Sequence, residues 1–158
     1  MLQRVREASV RVGEREVGSI GRGMLVLVGV ERGDEESDLR RAIDRVARVR
    51  LFEDGAGKMN LDLEQVGGAV LAVPQFTLAG SLERGRRPSF EGAMQPEAAR
   101  DFFERFVRDL RAAGVTVATG EFGQNMAVHL VNDGPVTFVV ETRPTRQARG
   151  GEPAEPRA

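Results

Sequence analysis

Apolar and polar positions alternate loosely from Leu2 to Val12, a turn falls at Gly13, and the pattern resumes from Glu14 to Ile20. Gly23 to Val30 is a nearly unbroken apolar run. The spacing predicts three strands, the third one buried. Asp34, Glu35 and Glu36 then place negative charge where a helix N-terminus favours it, and Leu39, Ala42, Ile43, Val46 and Val49 recur at intervals of three and four. That predicts an amphipathic helix from about Asp34 to Arg48. Val49 to Phe52 reads as a short strand before a glycine-rich turn at Asp54-Gly55-Ala56-Gly57, and Ala69 to Val73 reads as another buried strand. From Leu78 to Gln95 the pattern breaks up around Gly80, Gly85, Pro88 and Gly92, which predicts a long surface loop carrying Arg84, Arg86 and Arg87. Pro96 suits the first turn of a second helix whose core stripe is Ala99, Phe102, Phe103, Phe106, Val107 and Leu110, with Gly114 at its end. Strands over Val115–Thr119, Ala127–Val131 and Val136–Glu141 complete the pattern.

Strands outnumber helices and short turns join most of them. The expectation is a single α+β domain over residues 1–142, with a mostly antiparallel, barrel-like sheet and two main helices. Residues 143–158, rich in proline, arginine and small residues, are expected to form a disordered tail. A length of 158 residues suits one domain with a real core, and 41% hydrophobic with 30% charged residues is the balance of a globular chain. The first residues hold Arg4, Arg6 and Glu7 and no long apolar run, so neither a secretory signal nor a membrane span is expected, and the expected location is cytoplasmic.

Charge and composition narrow the chemistry. A net charge of −1 argues against a protein that coats nucleic acid through a large basic surface, although local patches remain open. Lys58 is the only lysine, so nearly all positive charge is guanidinium. With no cysteine and one histidine, a disulfide, a thiolate metal site and a cysteine nucleophile are excluded and a zinc site has little material; neither metal nor cofactor is expected. His129 sits in an alternating strand with no acid in fixed relation to it and receives no role. Asp54-Gly55-Ala56-Gly57-Lys58 lacks the spacing of a phosphate loop and reads as a turn. Asp62, Glu64 and Glu121 are possible acids or bases that nothing singles out.

Two segments stand apart. Pro74 removes a ladder hydrogen bond from a strand that should be buried, and the polar residues Gln75 and Thr77 follow at once. A bend there can expose backbone N–H groups to an oxyanion, or be a plain strand end. Asn132-Asp133-Gly134-Pro135 separates two apolar strands and reads first as a tight hairpin turn, in which a Gly-Pro bond tolerates the cis form at modest cost.

Together, Pro74-Gln75-Phe76-Thr77 and Asn132-Asp133-Gly134-Pro135-Val136-Thr137 resemble the D-aminoacyl-tRNA deacylase family, whose usual signatures are Ser-Gln-Phe-Thr and Asn-X-Gly-Pro-Val-Thr. Gln3-Arg4-Val5, Ala8-Ser9-Val10, Gly57-Lys58-Met59-Asn60, Arg87-Pro88-Ser89-Phe90 and Leu130-Val131-Asn132 resemble it too, in order and spacing, over roughly Met1 to Glu141. Each string is weak alone; jointly they are specific. The resemblance implies a homodimer in which the Gly134-Pro135 turn, its peptide bond cis, enters the partner's active site and meets the substrate amino group with backbone carbonyls. It further implies that Arg4 braces that turn, that Gln75, Phe76 and Thr77 line the pocket for the aminoacyl-adenosine 3′ end of tRNA, and that Met126 and Phe90 flank the terminal nucleoside. Where the family commonly has Ser this chain has Pro74, a residue also found in a branch with relaxed chirality and an altered Gly-Pro motif. Here the usual Asn-Asp-Gly-Pro-Val-Thr is kept, so rejection of L-aminoacyl groups remains the expectation. Pro74 has no N–H, which moves any oxyanion donor to Gln75 or beyond.

An aminoacyl ester is already activated, so little side-chain chemistry is required of the protein. The expected reaction is hydrolysis of D-aminoacyl-tRNA, and of glycyl-tRNA mischarged on tRNA-Ala, with backbone N–H groups near Phe76 and Thr77 on the oxyanion and the ribose 2′-hydroxyl assisting water. Thr77 as a nucleophile lacks an evident base. The alternatives are a non-catalytic module that binds a tRNA end or a small ligand in the same pocket, and an editor of small L-aminoacyl groups.

Overall fold

The computed structural model describes residues 1–83 and 85–142, so Arg84 and the expected tail over 143–158 lie outside the described residues. Its spine is β1, Leu2–Val12, which pairs antiparallel with β2, Arg15–Ile20, through its second half and with β3, Gly23–Val28, through its first. Along its other edge runs β8, Ala127–Phe138, also antiparallel. β3 passes the sheet on to β6, Ala69–Pro74, and β6 to β7, Thr116–Thr119, both in parallel. Between them, β4, Phe52–Glu53, and β5, Met59–Leu61, form a two-stranded antiparallel ribbon around the Asp54–Gly57 turn. Antiparallel ladders are the more numerous, as the short turns suggested. The parallel part arises because β3, β6 and β7 are separated by the two helices, the crossover that parallel pairing requires.

Those same strands explain the continuous apolar runs. In β3 and β6, Met24, Val26, Val70 and Ala72 face the helices, whereas Leu25, Leu71 and Val73 face the opposite way and meet Val5, Ala8 and Val10 of β1. Both faces are buried, so no polar alternation survives. The first cluster is closed by α1, Glu36–Arg48, through Leu39 and Val46, and by α2, Pro96–Ala112, through Phe103, Phe106, Val107 and Leu110. Burying each such side chain stabilises the fold by about 1.5–3 kcal/mol. α1 starts two residues later than the periodicity suggested, because Asp38 turns its carboxylate back to the Glu35 N–H at 3.0 Å and sets the cap there. The second cluster is enclosed because the sheet curls until β2 lies against the end of β7. At that contact Gly18 is required, since a Cβ would come within 2.5 Å of the Thr119 carbonyl oxygen.

One expectation is corrected. Residues 127–138 are not two strands joined by a hairpin: both flanks pair with the same strand, β1, in the same direction. Val5 faces Asn132 and Gln3 faces Thr137, so two steps along β1 match five along β8. The chain leaves the ladder at Asp133, bulges outward through Gly134 and Pro135, and rejoins it. Local composition cannot distinguish this excursion from a turn, because both demand the same Asp-Gly-Pro chemistry.

Candidate active site

β6 ends at Pro74, which stands opposite Val28. Gln75 makes the last ladder contact, donating its N–H to the Val28 carbonyl at 2.8 Å, and a 3₁₀ turn follows over Phe76–Ala79. Pro74 therefore terminates the strand rather than interrupting it. Leu78 and Gly80 donate back to the carbonyls of Gln75 and Thr77, at 3.3 and 3.0 Å, while the N–H groups of Phe76 and Thr77 meet no backbone acceptor among the described residues. Such first-turn donors are the orphan groups of any helical start. Of the donors that the sequence left open from Gln75 onward, the Gln75 N–H is committed to the Val28 carbonyl.

Beside this turn is a cavity of about 480 Å³, walled by Val73, Pro74, Gln75 and Phe76 on one side, by Pro96 and Ala99 at the start of α2, and by the segment 122–126 with Val128. None of its lining side chains is ionisable. Met126 lies across Gly120, its sulfur 3.3 Å from the Glu121 N–H, and so forms the wall facing Gln75. Phe90 stands behind the site: a bridge between Ser81 and Ser89 folds the loop back, and the Phe90 ring packs edge-on against Phe76 with centroids 5.0 Å apart. The Thr77 hydroxyl accepts a hydrogen bond from the Gln75 side-chain amide, which can orient it but cannot take its proton. Sequence reasoning missed Pro96, Ala99, Phe122, Gln124 and Asn125. The closely spaced Gly120 and Gly123 around Phe122 were the available sign of a loop shaped by a neighbouring surface.

Arg4, Gly134 and Pro135 form a second, separate constellation, and none of them lines the cavity. The Arg4 side chain is buried, and its guanidinium spans two parts of the fold. Nε donates to the Asp133 carbonyl at 2.8 Å and Nη1 to the Leu51 carbonyl at 2.6 Å, with the Glu53 carboxylate 3.5 Å from Nη2. Arg6 reaches the Asp133 carboxylate at 3.1 Å. Inside the excursion, the Val136 N–H donates to the Asn132 side-chain oxygen at 2.7 Å, and the Asn132 and Gln3 amides both donate to the Thr137 hydroxyl, at 3.1 and 3.2 Å. The Gly134-Pro135 bond is cis, and both residues are exposed. Gly134 has a φ of +155°, and a side chain there would collide with Val136. His129 is exposed on β8 opposite Ser9, away from both constellations.

A family model described as D-Tyr-tRNA(Tyr) deacylase matches residues 1–141. The chain belongs to that family. Curated D-aminoacyl-tRNA deacylases of Geobacter sulfurreducens and Geobacter metallireducens are 52% and 53% identical to it, over 90% of this chain and 94% of each relative. Among solved structures, a protein described as a c-Myc DNA unwinding element binding protein superposes with a TM-score of 0.85 at 36% identity, covering 90% of this chain and 97% of that one. A probable eukaryotic D-amino acid tRNA deacylase shares the fold at a TM-score of 0.66 and 22% identity, covering 85% and 93%. The matched stretch includes both segments singled out in the sequence, Gln75 to Thr77 and Asn132 to Thr137. Among the described residues no helix is long and apolar enough to cross a membrane.

Proposed function

We propose that the chain hydrolyses the ester bond of D-aminoacyl-tRNA in the cytoplasm, releasing the D-amino acid and free tRNA, and that it also clears glycine from mischarged tRNA-Ala. The observation that carries the mechanism is the pairing of a cavity without ionisable side chains with the uncommitted N–H groups of Phe76, which lines it, and of Thr77, the next residue along, which does not. A cavity of that kind offers no general base, so the protein's part is to hold the ester and stabilise the oxyanion with backbone dipoles. Activation of water is left to the substrate's own ribose 2′-hydroxyl, held beside the scissile bond. In this reading Gln75 positions the Thr77 hydroxyl, Phe76 backed by Phe90 forms one side of the nucleoside pocket, and Met126 forms the other.

Chirality is selected by the excursion of a second copy of the chain. Within one chain neither Gly134 nor Pro135 lines the cavity. They project from the outer edge of β8 among the exposed apolar residues Leu130, Val131, Phe138 and Val139, and such an edge favours pairing with another chain. With the ester carbon and the amino group both fixed, an L side chain points into the Gly134-Pro135 wall and a D side chain points away, so rejection is steric. Glycine has nothing to reject.

Single-turnover hydrolysis of D-Tyr-tRNA, L-Tyr-tRNA and glycyl-tRNA tests both parts. The expected result is cleavage of the first and third and persistence of the second. A Thr77→Ala variant should keep D-Tyr-tRNA cleavage within about tenfold of the parent, the lower range for losing a general acid or base being about a hundredfold. Abolished cleavage in a variant that still folds and binds tRNA would overturn the backbone mechanism. Full resistance of glycyl-tRNA would overturn the steric account, and no cleavage of any substrate by the parent would leave a binding module.

A further inference from the structure

A second depression of about 560 Å³ adjoins the cavity and shares Phe122 and Gln124 with it. α2 forms the common floor: Pro96 and Ala99 face the cavity, whereas Arg100, Arg108 and Arg111 line the depression. At 3.6 residues per turn these arginines fall within about 80° of the helix circumference, and Arg100 to Arg111 spans about 16 Å along its axis. All three are exposed. The depression also holds two carboxylates, Glu104 and Glu121, but Glu121 is answered by Arg15 of β2 at 2.8 Å. The Arg100 guanidinium lies over the Phe122 ring, 4.9 Å from its centroid, on the wall common to both spaces. Arg108 pairs with its sequence neighbour Asp109 at 2.8 Å on the surface, an exposed pair that a polyanion can displace. Arg111 is different: it donates to the Val117 carbonyl at 2.8 Å and braces β7.

We infer that this arginine-lined groove is the track for the sugar-phosphate chain that leads from the terminal adenosine to the body of the tRNA. The inference rests on the proposed substrate, because it needs an aminoacyl ester seated in the adjoining cavity. A strand leaving that cavity past Phe122 meets Arg100 first, then Arg108. A span of about 16 Å accommodates about five phosphates at the 3.4 Å per nucleotide of a stacked strand. Planar guanidinium groups suit phosphate recognition, and Phe122 with Arg100 above it offers a base a stacking surface at the point where the two spaces join. Such a track lets a chain with a net charge of −1 engage a polyanion without a basic surface: one helix face carries three arginines against the single carboxylate of Glu104.

The test compares the parent with Arg100→Gln/Arg108→Gln, leaving Arg111 and its support of β7 intact, and with Arg86→Gln/Arg87→Gln on the loop over residues 80–93. Binding of uncharged tRNA is measured by fluorescence anisotropy across a salt series, and hydrolysis is measured on D-Tyr-tRNA and on the D-tyrosyl ester of adenosine alone. The groove variant should bind tRNA about tenfold more weakly at low salt. Its log–log salt slope should be shallower by about 1.4–1.8, since each phosphate that an arginine neutralises adds about 0.7–0.9 to the slope and two arginines are removed. It should process D-Tyr-tRNA with a KM raised well beyond any change seen on the adenosine ester. An unchanged salt slope, equal losses on both substrates, or a slope change found only in the loop variant overturns the groove. If the parent hydrolyses neither substrate, the hydrolase reading falls, whereas the binding series still decides whether the groove holds RNA.

Discussion

Replacing Arg4 separates what holds the excursion from what it does. Arg4→Met removes two charge-assisted hydrogen bonds at once and leaves the Leu51 carbonyl, which is buried, and the Asp133 carbonyl, partly buried, without a donor. Bonds to a charged group contribute about 1.5–3 kcal/mol each, but water can reach the Asp133 oxygen, so the expected loss is about 3–4 kcal/mol rather than the full sum. For a chain of this size that lowers Tm by roughly 6–16 °C. Arg6 does not compensate: its side chain is 75% exposed and touches only the Asp133 carboxylate. Arg4→Lys is the informative partner, because one ammonium cannot reach carbonyls on opposite sides of a guanidinium fork, and about half of the loss should remain. Urea unfolding followed by circular dichroism gives the order parent, lysine, methionine. Lysine indistinguishable from the parent, or methionine within about 1 kcal/mol of it, refutes the two-carbonyl account. If stability falls as expected while folded Arg4→Lys cleaves D-Tyr-tRNA and spares L-Tyr-tRNA like the parent, Arg4 serves the fold and not selection.

Other substitutions probe particular packing points. Gly23→Ala places a Cβ 1.8 Å from the Ala69 backbone oxygen at the first pair of the β3–β6 ladder, which no rotamer relieves; a loss of at least about 3 kcal/mol or failure to accumulate as folded protein is expected, and a parent-like Tm contradicts it. Gly120→Ala meets the Met126 sulfur at 2.7 Å, a movable group, so stability should change by under about 1 kcal/mol while the displaced methionine raises KM for D-Tyr-tRNA; an unchanged KM removes Met126 from the pocket wall. The Asp54 carboxyl is held below its ordinary range, first by the Lys58 N–H and then by the Ala56 N–H. Its folded pKa being depressed, the stabilisation is present above the unfolded value and is lost as pH falls through the folded one. The amides of Ala56 and Lys58 should therefore shift together in an NMR titration below the usual aspartate range, and Asp54→Asn should abolish that step.

The core was legible because its determinants are local and repetitive. The three- and four-residue spacing of Leu39 to Val49, and the stripe from Ala99 to Leu110, have few alternatives to a helix packed on a sheet. The parallel join of β3, β6 and β7 was not legible, since an apolar run such as Ala69 to Val73 reads alike in either direction. In the candidate site, Gln75 to Thr77 was visible through its break in pattern, and Met126 and Phe90 only through resemblance. The rest of the lining, Phe122, Gln124 and Asn125 among it, comes from a loop that owes its place to Gly120 and to the bond between Met126 and Glu121. Nothing near it in sequence reveals that it faces Pro74. Residues 127–138 were misread for another reason: whether Gly134-Pro135 reverses the chain or only displaces it depends on β1, more than a hundred residues away.

That excursion has a consequence for motion. The tip of a hairpin can swing about an axis through its two strands, but a bulge whose feet both stand on one strand has no such axis. Asn132 and Thr137 are each anchored opposite β1, and Arg4, between those two anchor points, holds Asp133 from below. The segment therefore opens only when the β1–β8 ladder itself opens. In hydrogen exchange, the bonded N–H of Val136 should be released with the surrounding strand and not ahead of it. On the proposed reading of Gly134-Pro135 as the surface that selects chirality, it is a fixed jaw, and any adjustment to the shape of the substrate has to come from the other side of the pocket.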